Sequence, residues 1–204
     1  MRPSRPPLPF EESSPALPHA LHSESAVAHI LQNASLVDHP LSESEMRSLL
    51  EALARHSLFL STLERFSDDS YCRNRIFGNE HLELLLLCWK PGQRTPIHNH
   101  AGSRCGVYVV RGVACEVGFR PSPAGPLLPT GAHEVRAGSI TSSYDGDTHL
   151  VGNFSSVSED LVTLHCYSPP LASMRVFEER DTFFSDYSEV VACAASSGCY
   201  QVKL

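Results

Sequence analysis

From Tyr71 to Tyr167 the sequence is a succession of short apolar or alternating runs, none longer than ten residues, at 71–77, 81–90, 95–100, 105–111, 114–119, 131–135, 139–144, 149–153 and 161–167. Clusters of glycine, proline, serine and aspartate separate them, the longest running from Pro121 to Pro129. Alternation at every second residue marks a strand with one face in a core, and runs this short leave no room for a long helix. Nine closely spaced strands predict a mainly β domain, either an antiparallel sandwich or a barrel.

Ahead of this region the period is helical. Ala26, Val27, Ile30, Leu31 and Ala34 share one face, with Ser23 as the expected N-cap. Ser42 and Glu45 have capping-box spacing behind Pro40, and Met46, Leu49, Leu50, Leu53 and Ala54 form the next stripe. A third short helix is expected within 58–66. Six prolines (Pro3, Pro6, Pro7, Pro9, Pro15 and Pro18) predict a disordered leader over residues 1–22. The domain then covers 23–190, with helices in 23–66 and the barrel in 70–190. Residues 191–204 lack a periodic pattern and read as a flexible tail, with Cys193 and Cys199 as disordered thiols.

With 204 residues, 42% of them hydrophobic, the chain can bury a sizeable core in one domain. A formal net charge of −7 with only two lysines argues against nucleic acid or an anionic membrane as partner. The longest apolar run, Leu84–Trp89, is strand-sized and far short of a membrane span. Seven cysteines without paired spacing suit a reducing cytoplasm rather than a disulfide framework. Cys88, Cys115 and Cys166 lie in apolar runs, where a buried inert thiol is the default. His81 and His133 read as exposed strand or loop residues.

The stretch from Gly92 to Gly112, GQRTPIHNHAGSRCGVYVVRG, carries the chemistry. His98 and His100 stand two apart, so an extended strand points both imidazoles to one face, and imidazole is the commonest protein metal ligand. Gly92, His98, His100, Cys105 and Gly112 at this spacing resemble the first motif of the cupin family, with Cys105 where a glutamate ligand usually stands. Gly138, Tyr144, Gly146, His149 and Asn153 resemble the second motif, with Tyr144 in place of the usual proline. The resemblance implies a cupin double-sheet jelly-roll barrel that holds a metal through His98, His100 and His149. Three neutral ligands leave the charge of a divalent ion uncompensated and favour an anionic, chelating substrate. The open face suits iron(II), which can take substrate and dioxygen together, although three histidines with an open position also describe a zinc hydrolytic site.

A narrower resemblance joins it. YCRNRIF (71–77), LLLLCW (84–89), PIHNH (96–100) with Cys105, His149, and LHCYSPP (164–170) are similar to the cysteine dioxygenases, a thiol dioxygenase family. The resemblance runs from about Ser23 to Tyr187. Asn99 departs from the family's usual aspartate, and one extra residue separates His149 from His165. It implies Fe(2+) on the three histidines, Arg73 gripping the substrate carboxylate in a dry pocket with Tyr71 beside it, and Tyr167 pointing its hydroxyl at the metal face. His165 is implied as the hydrogen-bonding partner of Tyr167, with Thr163 extending the chain inward. In members with cysteine at the Cys105 position, a thioether can join it to the tyrosine matched by Tyr167, and the two strands are expected to face each other across the metal. On residue type alone, Cys105 is equally well a small buried thiol that fills space.

The activity so implied is addition of both atoms of dioxygen to the sulfur of L-cysteine, giving cysteine sulfinic acid. The expected protein is a cytoplasmic monomer whose partners are a small-molecule thiol and dioxygen. A related thiol dioxygenase acting on 3-mercaptopropionate is the nearest rival, and members of that kind tend to carry glutamine at the Arg73 position. A metal-binding cupin without catalysis is a further alternative, and it has no need of Arg73, His165 and Tyr167 around the ligands.

Overall fold

A computed structural model describes residues 17–123, 126–144, 147–154, 159–177 and 199–200, with side chains from residue 24 and not for the last pair. Three helices, α1 (Leu17–Ser35), α2 (Glu43–Ala54) and α3 (Ser57–Leu63), precede eleven strands. These are β1 (Cys72–Gly78), β2 (Glu83–Trp89), β3 (Ile97–His98), β4 (Arg104–Arg111), β5 (Val113–Pro121), β6 (Leu127–Arg136), β7 (Ile140–Ser143), β8 (Thr148–Gly152), β9 (Leu161–Ser168), β10 (Val176–Phe177) and β11 (Cys199–Tyr200). One sheet has the order β1-β2-β9-β4-β7 and the other β10-β3-β8-β5-β6-β11, and every pairing is antiparallel.

The pairs β5 with β6, β4 with β7, β3 with β8 and β2 with β9 are nested one inside the next and fall alternately in the two sheets. That is a long hairpin rolled up on itself, which defines a jelly roll. Side-chain parity divides the interior. Leu85, Leu87 and Trp89 on β2, Cys105, Val107 and Val109 on β4, and Leu161 and Tyr167 on β9 meet Ala114, Val135 and Val151 of the other sheet. The intervening residues Leu84, Leu86, Cys88, Val162, Leu164 and Cys166 face the helices. Both faces of β2 and β9 are therefore buried, which is why LLLLCW is a continuous apolar run rather than an alternating one.

The helices cover the back of the site-bearing sheet. Ser42 caps α2 in a reciprocal box with Glu45, and Met46, Leu50 and Leu53 of its buried face stabilise the fold by about 1.5–3 kcal/mol each. Gly106 lets this helix approach, because a Cβ there would lie 3.0 Å from a methyl of Leu50. No helix among the described residues is long and apolar enough to cross a membrane.

Four expectations are corrected. α1 begins at Leu17, so residues 17–22 are helical rather than leader and Ser23 lies inside the helix. Pro18 is tolerated there because the first turn of a helix has no use for its missing N–H. Residues 1–16 lie outside the described residues. The tail expected over 191–204 contains β11, where Cys199 pairs with His133 and Tyr200 with Ala132, a strand of two residues and too short to leave an alternation to read; Cys193 lies outside the described residues. The turn expected over Pro121–Pro129 is shorter, since β6 starts at Leu127 and Pro129 takes its place beside the bulge at Gly118/Phe119. Finally, Cys105 and Tyr167 do not face each other across the sandwich. They are direct cross-strand partners on β4 and β9 in one sheet.

Candidate metal centre

β3 is only two residues long, but pairing of His98 with His149 across β3 and β8 brings two imidazoles together on the inner face. The chain remains extended through Asn99, whose N–H and side-chain oxygen bond the backbone of Arg175 at 3.2 and 3.1 Å, and this delivers His100 to the same side. Ala101 (φ 45°) and Gly102 (φ 94°) then turn the chain into β4. The three ring centroids lie 4.8–5.3 Å apart, and one ligand nitrogen from each ring falls within 4.8 Å of the others. All three rings are buried.

Their partners set which nitrogen is bare. His98 Nδ1–H donates to the Pro96 carbonyl at 3.0 Å, and His149 Nδ1–H donates to a Glu116 carboxylate oxygen at 2.5 Å. Each leaves an Nε2 lone pair turned to the centre. Among the described residues, His100 Nδ1 is buried without a hydrogen bond of ordinary geometry, and the Tyr144 backbone is a polar neighbour of the ring. Burial and the neighbouring His149 hold His98 and His100 down at about 4, so both rings are neutral at physiological pH. Neutral, buried, convergent imidazoles with bare nitrogens fit a divalent cation, which resolves the mutual crowding of lone pairs.

The cavity in front of them, about 50 Å³, is lined by Tyr71, Arg73, Cys105, His165, Tyr167 and Met174 among others. Leu87, Val107 and Val151 supply apolar wall. Arg73 reaches in from the edge strand β1, its guanidinium carbon 5.8 Å from the Tyr167 ring centroid. The residue is exposed, so the expected dry pocket is open at this end; an edge strand has no neighbour to seal it. Tyr71 stacks on Trp89, with centroids 4.3 Å apart and planes at 17°.

Behind Tyr167 runs a buried polar chain. Trp89 Nε1–H donates to Thr163 Oγ1 at 2.9 Å, and Thr163 Oγ1 lies 2.8 Å from His165 Nε2. The tryptophan is a donor only, and among the described residues the Thr163 hydroxyl has no other acceptor, so its proton goes to His165 Nε2. His165 therefore carries its proton on Nδ1, which faces the Tyr167 hydroxyl at 3.4 Å and the Cys105 sulfur at 3.9 Å. Burial, with Arg73 adding, holds His165 down at about 3. Burial also raises Tyr167 well above the ordinary phenol and pushes the Cys105 thiol up. All three groups are neutral.

Eight side chains expected in the site, His98, His100, His149, Arg73, Tyr71, Cys105, His165 and Tyr167, line this one cavity. Cys88, Cys115 and Cys166 are free and buried, with burial pushing their thiols up to about 11, 12 and 12. His81 is half-buried, whereas His133 is exposed yet bonded to Glu116. Sequence reasoning missed Glu116, Trp89 and Met174. Glu116 left a signal, since it is an acid inside an apolar run with buried residues on both sides.

The chain matches the family model Cysteine dioxygenase type I over residues 17–180. It is 30% identical to the cysteine dioxygenase type 1 of Danio rerio over 161 residues, covering 71% of this chain and 78% of that protein. The Homo sapiens protein of the same name is 28% identical over 142 residues, 67% of this chain and 70% of that one. Among solved structures, a protein with a double-stranded β-helix domain from Klebsiella pneumoniae superposes with a TM-score of 0.49 at 18% identity, over 58% of this chain and 88% of that chain. The family match takes in the three helices, every strand but β11 and all the cavity side chains, and by it the chain belongs to the cysteine dioxygenase type I family.

Proposed function

We propose that this protein is an iron(II)-dependent thiol dioxygenase that adds both atoms of dioxygen to the sulfur of L-cysteine, forming cysteine sulfinic acid. The observation that carries the reading is the meeting, in one cavity, of three histidines with a guanidinium that has no carboxylate partner among the described residues and a directed hydrogen-bond chain. Iron(II), held by His98, His100 and His149, supplies the redox chemistry that joins dioxygen to sulfur.

The protein groups supply position and protons. Arg73 grips the substrate carboxylate with two charge-assisted hydrogen bonds, and the Tyr71 ring walls that end of the cavity. With its carboxylate held at the mouth, the substrate points its thiol inward to the three histidines. Three neutral ligands and an apolar wall favour an anionic sulfur beside a cation. His165 Nδ1–H donates to the Tyr167 oxygen, which leaves the Tyr167 proton free to donate into the cavity where oxygen acquires charge. The Cys105 thiol beside this pair is the candidate partner for a thioether to the Tyr167 ring.

The test is metal analysis of the purified protein together with oxygen uptake on adding L-cysteine. About one iron per chain, oxygen consumption and sulfinic acid are expected, all lost in His149→Ala. Full activity of a zinc-loaded, iron-free preparation overturns the reading. Higher kcat/KM with 3-mercaptopropionate than with L-cysteine would leave a thiol dioxygenase but displace cysteine as its substrate.

A further inference from the structure

Glu116 is a carboxylate in an unusual place. It sits on β5 with its side chain 13% exposed, on the inner face of the second sheet. Around it lie Val107, Val109, Ala114, Val135 and Val151, in a pocket on the far side of His149 from the substrate cavity. An ionised carboxylate among these valines is costly unless donors surround it. Three do. His149 Nδ1 lies 2.5 Å from one oxygen, while His133 Nε2 at 3.3 Å and the Thr141 hydroxyl at 3.5 Å reach the other.

The register explains the meeting. Glu116 is directly opposite His133 across β5 and β6, while His149 faces Gly118, two residues along β5 on the same side of the sheet. Glu116 can thus bond the cross-strand neighbour on one flank and the diagonal neighbour on the other. A carboxylate oxygen only accepts, so contact with His149 Nδ1 fixes the proton on that nitrogen and bares Nε2 to the metal centre. His98 is oriented by a neutral carbonyl and His100 has no hydrogen bond to a carboxylate, so among the described residues Glu116 is the acid hydrogen-bonded to the ligand set.

Resting on the metal reading above, we propose that Glu116 is a positioning residue that sets the tautomer and orientation of His149 and lends the three neutral ligands one negative charge, with His133 clamping its second oxygen to β6. Outer partners of this kind are worth 10- to 100-fold in metal affinity, an order-of-magnitude expectation of about that size here. His133, at the solvent end, contributes less because Thr141 still supports the same oxygen.

The experiment titrates the full chain, stripped of metal, with cobalt(II) as the probe ion, following its visible absorption and the affinity against a competing chelator. Wild type is compared with Glu116→Ala, Glu116→Gln, His133→Ala and the ligand control His149→Ala, with circular dichroism to confirm folding. Expected is a loss on the order of 10- to 100-fold in cobalt affinity for Glu116→Ala, with an altered absorption band. Glu116→Gln, which can still accept from His149 but carries no charge, should fall between that variant and wild type. His133→Ala should lose only a few-fold. If His149→Ala loses cobalt while folded Glu116→Gln and Glu116→Ala bind within about twofold of wild type, the role of Glu116 is refuted and the metal reading stands. If His149→Ala itself binds as wild type does, the metal reading falls and the proposal with it.

Discussion

Replacing Thr163 with valine tests the polar chain behind Tyr167. Valine keeps the shape and deletes only the hydroxyl, which accepts from Trp89 Nε1 at 2.9 Å and meets His165 Nε2 at 2.8 Å. Trp89 and Thr163 are 0% exposed and His165 is 4% exposed, so water cannot take the place of the lost oxygen. Each abandoned polar group costs about 1–3 kcal/mol, giving a destabilisation of roughly 2–6 kcal/mol for the pair. Thr163→Ser keeps the hydroxyl and gives up one methyl, at about 1 kcal/mol. Urea denaturation of both variants should therefore show a midpoint well below wild type for valine and a small shift for serine, at equal slopes. Activity should separate them too. Without the hydroxyl, nothing holds the His165 proton on Nδ1, so kcat should drop on the order of tenfold in the valine variant while KM, governed by Arg73, changes little. A valine variant within about 0.5 kcal/mol of wild type and equal to serine in kcat would refute the chain as drawn.

Three further outcomes are expected. Arg73→Ala should lower kcat/KM for L-cysteine by about 2–3 kcal/mol, roughly 30- to 150-fold, because the carboxylate partner sits at an open mouth rather than in a sealed one; a loss under threefold in steady-state assays would remove Arg73 from the substrate. Protein turned over with iron, cysteine and dioxygen should contain a Cys105–Tyr167 thioether, lighter by a pair of hydrogens taken up by the oxidant, and Cys105→Ala should stay an iron enzyme of reduced activity; full alkylation of Cys105 with Tyr167 unmodified in peptide maps leaves the thiol as packing only. Metal-free protein should lose stability in acid. His98 and His100 are held at about 4 and His165 at about 3, so between those values and about 6.5 the unfolded chain binds protons that the folded one does not. Stability then rises with pH by up to about 1.4 kcal/mol per unit for each ring, and denaturation midpoints that are flat from about pH 5 to about pH 7 would contradict it.

What the sequence made legible follows from what leaves a periodic trace. The nine strand runs, the capping box at Ser42 and Glu45, and the placing of His98 and His100 on one side of the chain all depend on local spacing, and each is found in the structure. Register leaves no such trace. That Cys105 pairs with Tyr167 in one sheet is set by how β4 and β9 slide past each other, sixty residues apart, so only their nearness was readable and not the direction. Glu116 stood out as an acid in an apolar run, but its role was illegible for the same reason, since that role depends on which residue lies diagonally across β8. Pro18 misled because a proline breaks a helix interior and not its first turn, and sequence alone did not show on which side of that boundary it stood.

The two charged side chains of the site lie on opposite sides of the histidines, and this bears on how a substrate is chosen. Glu116 stands behind His149 on β5, while Arg73 stands at the mouth on β1, in the other sheet. An amino acid thiolate that enters carboxylate-last meets the cation at the mouth and neutral nitrogens inside; entered the other way, its carboxylate would face only neutral donors and the buried charge of Glu116. The arrangement therefore fixes orientation before any chemistry. It does not by itself fix identity. L-cysteine and 3-mercaptopropionate have the same three-carbon span from carboxylate to sulfur, so under the proposed function Arg73 would grip the part they share. Their difference is one amine, and the cavity lining includes Leu87, Val107, Val151 and Met174 but, among the described residues, no acid. With no carboxylate among the described lining residues to receive an ammonium group, preference for cysteine would, under the proposed function, rest on how the three-histidine centre and its open face receive a neutral amine.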